Sequence, residues 1–512
     1  MAGSVRNTTH QRGKILVAVL WGLVFAISYA QSPLYTSNQN QYFLHGLARA
    51  GYGDLNQDWL ANTSDPTPFF SGLVESTYRY LRWEGLFYVY YAVLMGIYLF
   101  SLWGIVNTVY DLRSSPEKCL LFLGLLVFLH SAGLRFVLSH VVGVNWTYIF
   151  EDGVADQRLL GPVLQPSVFG VFLLLSIYLF LKGKSVLAIL AVAAAATIHP
   201  TYLLSAGTLT AAYLLLIFVN ERDIRKVLVL GGLALLAIAP TLLAAVQVFA
   251  GGGQATEQAR QILIEFRIPH HAQVGWWLDA TALVKILITI LALYVIRRTQ
   301  LFYILLICAI TALGLTLAQI ALQSSALALL FPWRLSTFIV PLSSAIILAY
   351  LVDGLLSRPL FSSQNSLKAV RAASITFIVL AVFAGVVRFA LDLERSASYP
   401  ERGVEAYVAA NREPGEKYLT PIKMQDFRIA AGAPVFIDFK SIPYRADEVL
   451  EWYRRVQMAD RFYKTGDCAV LGLILGEYPL THVVMETGPQ KHLCPQLQLV
   501  YHDEAYELYQ VR

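Results

Sequence analysis

Charge is scarce in this chain. Only 14% of its 512 residues are Asp, Glu, Lys or Arg, against roughly 25% in an ordinary soluble protein. Hydrophobic residues make up 56% and arrive in long uninterrupted runs. Together these exclude a soluble enzyme, a disordered chain and a fibrous protein. Cysteine is scarcer still: four residues cannot make a disulfide scaffold, and no pair has the CxxC spacing of a metal site. A strong excess of one charge sign is also missing. A net charge of +5 reads as the loop bias of a membrane protein rather than a nucleic-acid footprint.

What is present is apolar length. About eleven runs of ~16–24 residues match the ~30 Å of hydrocarbon that a spanning helix must cross. They lie near 14–30, 86–108, 119–139, 164–181, 185–199, 201–219, 227–249, 280–296, 301–322, 333–352 and 374–391. The fifth and sixth are short and joined by His199-Pro200, the pattern of a broken or re-entrant helix. With the N-terminus in the cytoplasm, fifteen Lys and Arg residues, from Arg6 to Arg371, fall in short inside loops. Only Arg49, Arg79, Arg82, Arg158, Arg260 and Arg267 fall in the opposite loops, which satisfies the positive-inside rule. Ser28-Tyr29-Ala30 also reads as a signal-peptide cleavage site, but the first run is long enough to span and is taken as retained.

An odd number of spans puts 392–512 outside, with the long loop 31–85. Of the 73 charged residues, 29 lie in 401–512, the composition of a folded soluble domain. Helical periodicity covers 445–463, and strand-like runs are Val435–Phe439, His482–Met485, Leu497–Tyr501 and Tyr506–Val511. The expected fold is therefore a multi-pass α-helical membrane protein with a C-terminal exterior α/β domain, divided as 1–391 and 392–512.

Candidate chemistry concentrates in the exterior loops. In loop 31–85, Gln39–Ala50 carries Tyr42, Phe43 and Leu47 at helical spacing, as an amphipathic helix along the interface would. Asp54 sits at a turn, whereas Asp58, in Gln57-Asp58-Trp59-Leu60, is the best candidate for a working carboxylate. Loop 140–163 offers Glu151 and Asp152 as acceptor or metal ligands. Oxygens from separate loops suit a divalent ion such as Mg2+ or Mn2+. Loop 250–279 offers Arg267 and His270 as donors to phosphate; His270-His271 alone is a weak metal signal. Arg334, in Phe331-Pro332-Trp333-Arg334-Leu335, opens the tenth span from the exterior side, where a cation is usually paired or functional. Arg135 and Lys285 raise the same question inside spans. Cys468 and Cys494 both fall in the exterior domain and are expected to bridge if that compartment is oxidising.

The order span, long polar loop, late Arg and C-terminal α/β domain resembles the GT-C superfamily, and the phrases GDLNQDWLANTSDPTPFFS, GVADQRLLGPVLQPSVFG, HPTYLL, FPWRLS and VFIDFKSIPYRADEVLEWYRR resemble an uncharacterised bacterial group within or beside it. The resemblance implies a bacterial plasma-membrane glycosyltransferase that moves a sugar from a polyprenyl-phosphate donor at the exterior, periplasmic face. It also implies Asp58 or Asp54 as base or metal ligand, and Arg334, His270 and Arg267 on the lipid phosphate. GT-C enzymes usually carry a carboxylate just after the first span, where this chain reads Ser37-Asn38-Gln39-Asn40-Gln41. Either Asp54 or Asp58 replaces it, or the chain is a non-catalytic relative that binds lipid or serves as a subunit. A transporter using His199-Pro200 and Arg135 as its midplane site is a further reading.

Overall fold

The structure is a computed structural model that describes residues 2–249, 252–488 and 494–512. The chain divides into two compact units. One comprises Met1–Gln31, Phe87–Leu243 and Ile264–Ala390; the other comprises Ser32–Leu86, Ala244–Leu263 and Leu391–Arg512.

The first unit is helical, and every apolar run of the sequence forms helix. Among the described residues, six helices are long and apolar enough to cross a membrane: Leu86–Val106, Pro200–Glu221, Ile224–Val248, Gln300–Leu322, Ser325–Leu356 and Gln364–Ala397. The third run is not one straight span. It forms Pro116–Leu129 and Ala132–Val141, bent by 52°. The break has a polar cause: His130 Nδ1 bonds back to the Leu126 carbonyl at 2.8 Å, while Ser131 caps the second helix by accepting from Leu134 N. Ile15–Tyr29 is the apolar stretch of the longer helix Ala2–Tyr29, and Pro166–Leu181, Ser185–Ile198 and Ala280–Ile296 are shorter apolar helices. At ~1.5 Å per residue each falls short of the ~30 Å hydrocarbon layer if it stands upright alone.

The second unit holds a four-stranded sheet in the order β1-β2-β4-β3. β1 (Tyr418–Leu419) pairs parallel with β2 (His482–Glu486). β4 (Tyr506–Val511) runs antiparallel to both β2 and β3 (Leu497–His502). Val404, Val408, Tyr418, Phe427, Val484 and Leu508 form the core beside it. Helix Ala446–Thr465 matches the expected helical periodicity. Val435–Phe439 forms no strand; Val435 makes only an isolated bridge to Tyr418, and Asp438 within the run is diverted to side-chain and turn bonds.

Loop 31–85 groups with the C-terminal residues rather than with the helices on either side of it in sequence. Its first part does not form an amphipathic helix with an open apolar face. Helices Gln39–Tyr42 and Leu44–Ala50 bury Phe43 and Leu47 completely inside their own unit. Cys468 and Cys494 are disulfide-bonded with Cα atoms 5.3 Å apart, within the ~4.4–6.8 Å a bridge requires.

Candidate functional site

Asp58, the favoured base, is a fully buried structural carboxylate. It follows the short helix Leu55–Gln57, and its Oδ1 accepts from Leu60 N at 2.9 Å and Ala61 N at 3.2 Å. Oδ2 accepts from Arg428 Nε at 2.8 Å and Val435 N at 2.9 Å. Arg428 is 2% exposed and also pairs with Asp438. Asp58 therefore has no accessible lone pair with which to take a proton; it ties the 55–61 turns to the 428–438 segment. Asp54 is likewise engaged, with Arg412 Nε at 3.0 Å.

In the helical unit, the loop after Ala132–Val141 presents a different arrangement. Glu151 and Asp152 are 4% and 3% exposed. Glu151 lies 3.6 Å from Arg135, yet neither of its oxygens has a hydrogen-bond partner of good geometry among the described residues. Burial raises its carboxyl to about 8, against the opposing pull of Arg135. Arg135 also donates to the Tyr29 carbonyl, and its guanidinium stands 4.0 Å over the Tyr29 ring. Glu151 is thereby brought to the end of the first helix, Ala2–Tyr29. Asp152 pairs with Arg158 at 2.8 Å, and burial raises its carboxyl too.

This loop is fixed from three sides. Lys285 Nζ donates to Gly153 O at 2.9 Å, Val154 N donates to Ser336 Oγ at 2.7 Å, and His271 Nδ1 lies 2.7 Å from Ala155 O. Gly153 has no room for a side chain: a Cβ there would lie 2.8 Å from Thr337 N. Ala155 and Asp156 both adopt left-handed backbone, at φ 59° and 51°. Such strain persists only where the surroundings enforce it.

The contacts at Ser336 and Thr337 set the loop against the turn Pro332–Leu335, which carries Arg334. Arg334 is half-buried, 5.5 Å from the Tyr202 ring centroid, and its Nε lacks a partner among the described residues. Trp333 packs on Val154 and Ala155, and its Nε1 is unpartnered as well. The rings of His270 and His271 lie 4.0 Å apart, tilted by 50°. Burial lowers His271 to about 3, helped by the charges of His270, Arg334 and Arg267. His270 thus lies beside His271, which feels the charges of Arg334 and Arg267, and the Glu151–Asp152 loop is held against the turn that carries Arg334. Asp54 and Asp58 are not part of this cluster.

Buried polar groups in folded proteins are nearly always paired. Among the described residues, Gln157 Nε2, Trp333 Nε1 and Arg334 Nε make no hydrogen bond, and Arg135 Nη1 and Glu151 meet only as an ion pair at 3.6 Å. An acceptor-only group such as a phosphate suits the donors, and a hydroxyl suits Glu151. Among the described residues no three His, Cys, Asp or Glu side chains converge, and Glu151 and Asp152 each face an arginine. From the sequence, Arg135 and Lys285 read as cations inside spans, Arg135 also as a transporter's midplane residue, whereas nothing in the local pattern singles out Tyr29, Gln157 or Trp333 as site residues.

A family described as a domain of unknown function, DUF6798, matches residues 400–459. No curated protein matches the chain. Among solved structures, the chain is similar to ArnT from Cupriavidus metallidurans bound to undecaprenyl phosphate. That alignment covers 97% of this chain and 98% of the other, at 13% identity and a TM-score of 0.46. The apo state of ArnT aligns over 98% of both chains, at 13% identity and a TM-score of 0.43.

Proposed function

We propose that this chain is a membrane glycosyltransferase of the GT-C kind, transferring a sugar from a polyprenyl-phosphate donor to an acceptor hydroxyl at the exterior membrane face. The observation that carries this reading is Glu151: a buried carboxyl, raised to about 8, 3.6 Å from Arg135 and without a well-formed hydrogen bond among the described residues, in a loop that Ser336 holds against the turn bearing Arg334. A base is most effective when its pKa lies near the working pH. In the reaction, the acceptor oxygen bonds to the anomeric carbon while that carbon's bond to the phosphate oxygen breaks. The proton passes to Glu151, and the charge left on the lipid phosphate is met by Arg334, with Arg267 and His270 nearby. Glu151 comes from the second exterior loop but is held, through Arg135, at the end of the first helix. The Cys468–Cys494 bridge supports an oxidising compartment for the C-terminal residues.

A second reading, a non-catalytic lipid-binding relative, is favoured by Asn40. It is buried in place of an early carboxylate and donates to Asp426. Proteoliposomes charged with a panel of polyprenyl-phosphate sugars distinguish the two. The enzyme reading expects release of polyprenyl phosphate, slowed ~10²–10⁴-fold in Glu151→Gln with lipid binding retained. Binding of undecaprenyl phosphate without turnover of any donor would favour the second reading.

A further inference from the structure

The loop that leads into the span Leu86–Val106 carries an apolar, basic corner that the catalytic reading does not use. Helix Pro68–Ser76 and the wider turn Thr77–Leu81 bury Phe70, Val74 and Thr77 on one side. The opposite side leaves Phe69, Tyr80 and Leu81 open to the surroundings, and Trp83 follows at 59% exposure. Trp83 is not a loose side chain. Its ring lies so close over Gly85 that a Cβ at that glycine would stand 2.7 Å from the indole Nε1. Arg82, at φ 51°, closes the helical turn in the left-handed conformation. The corner therefore holds its largest apolar group in a fixed, outward pose.

The charge distribution is one-sided. Glu75 is engaged by Arg49 and Arg79, at 2.9 and 3.1 Å, and Glu84 interacts with Tyr35. The acidic groups are thus taken up within the unit, whereas Arg82 is exposed and makes no ion pair among the described residues. Arg79 is also partly exposed. Three residues after Trp83 the chain enters the apolar helix Leu86–Val106, so the corner directly precedes an apolar helix of spanning length in the chain. Aromatic side chains favour the headgroup layer, and Lys and Arg near it favour anionic lipids.

We infer that Phe69, Tyr80, Leu81 and Trp83 seat in the headgroup layer of the bilayer, and that Arg82 with Arg79 recognises anionic headgroups there. The interfacial element of the first loop is then Pro68–Trp83, not Gln39–Ala50. This inference is independent of the glycosyltransferase reading.

The test uses the full chain in nanodiscs. A nitroxide is placed by Trp83→Cys in a background of Cys119→Ser and Cys308→Ala, leaving the disulfide intact. Power-saturation EPR is expected to find the label more accessible to oxygen than to a water-soluble nickel complex. In nanodiscs of mixed phosphatidylglycerol and phosphatidylcholine, Arg82→Gln is expected to reduce the excess of phosphatidylglycerol retained in native mass spectra about fivefold. A label as open to nickel as a bulk-water site would overturn the seating. An unchanged lipid ratio in Arg82→Gln, with the label still at the interface, would overturn the recognition of anionic headgroups.

Discussion

Two arginine–carboxylate clusters, one in each unit, put the same chemical groups to opposite uses. In the C-terminal unit, Asp58 accepts four hydrogen bonds and shares Arg428 with Asp438. In the helical unit, Glu151 has Arg135 at 3.6 Å and no well-formed hydrogen bond among the described residues. The first is a closed network, in which burial is offset bond by bond. The second is open, and burial there shows up as a carboxyl raised to about 8. A saturated buried carboxylate serves structure, and an unsaturated one is poised to act on a ligand.

The sharpest way to break this comparison is to open the closed cluster. Arg428→Ala leaves Asp58 and Asp438 buried without their cation, which should cost ~3–5 kcal/mol. Limited proteolysis should then cut the C-terminal unit far faster, while the protein that stays folded keeps its specific activity. Loss of activity in a fully folded Arg428→Ala would instead place this cluster in the chemistry. Glu151→Gln should do the reverse, slowing turnover ~10²–10⁴-fold with no loss of resistance to heat.

Smaller in effect is the bridge. Cys468→Ser should destabilise the C-terminal unit by ~3 kcal/mol, read as a lower melting midpoint of that unit, with turnover per folded molecule unchanged.

A pH dependence is spread over several pH units. Glu151 binds its proton more tightly when folded, about 8 against an ordinary 4.5. Between those values the native state holds a proton that the unfolded state has lost. Its contribution is complete below pH ~4.5, declines as pH rises, and is gone once pH passes ~8. Thermal-inactivation profiles of wild type and Glu151→Gln should therefore diverge across that window and run parallel above it. Profiles parallel throughout would mean that the carboxyl is not raised.

Much of the architecture was legible in the sequence, since an apolar run long enough to cross a bilayer has few folds open to it. Each run became helix, and the strands at His482, Leu497 and Tyr506 followed from alternation and turn residues. The break at His130-Ser131 was missed because both residues sit inside an otherwise unbroken apolar stretch. The ranking of carboxylates failed for a different reason. Asp58 owes its role to Arg428, 370 positions away, and no local pattern reveals that partner. Arg334 stood out because a cation at a span's mouth needs a reason. Glu151 gained its standing only when Arg135 and Tyr29 were found beside it.

The central claim is that the Glu151 loop and the Arg334 turn form a site for a lipid phosphate. Titrating undecaprenyl phosphate into the full chain in nanodiscs, with wild type beside Arg334→Ala, tests it most directly. A charge-assisted hydrogen bond contributes ~1.5–3 kcal/mol, so the account predicts binding weakened ~10–100-fold in Arg334→Ala, with Arg412→Ala unchanged. Equal affinity in wild type and Arg334→Ala would contradict it.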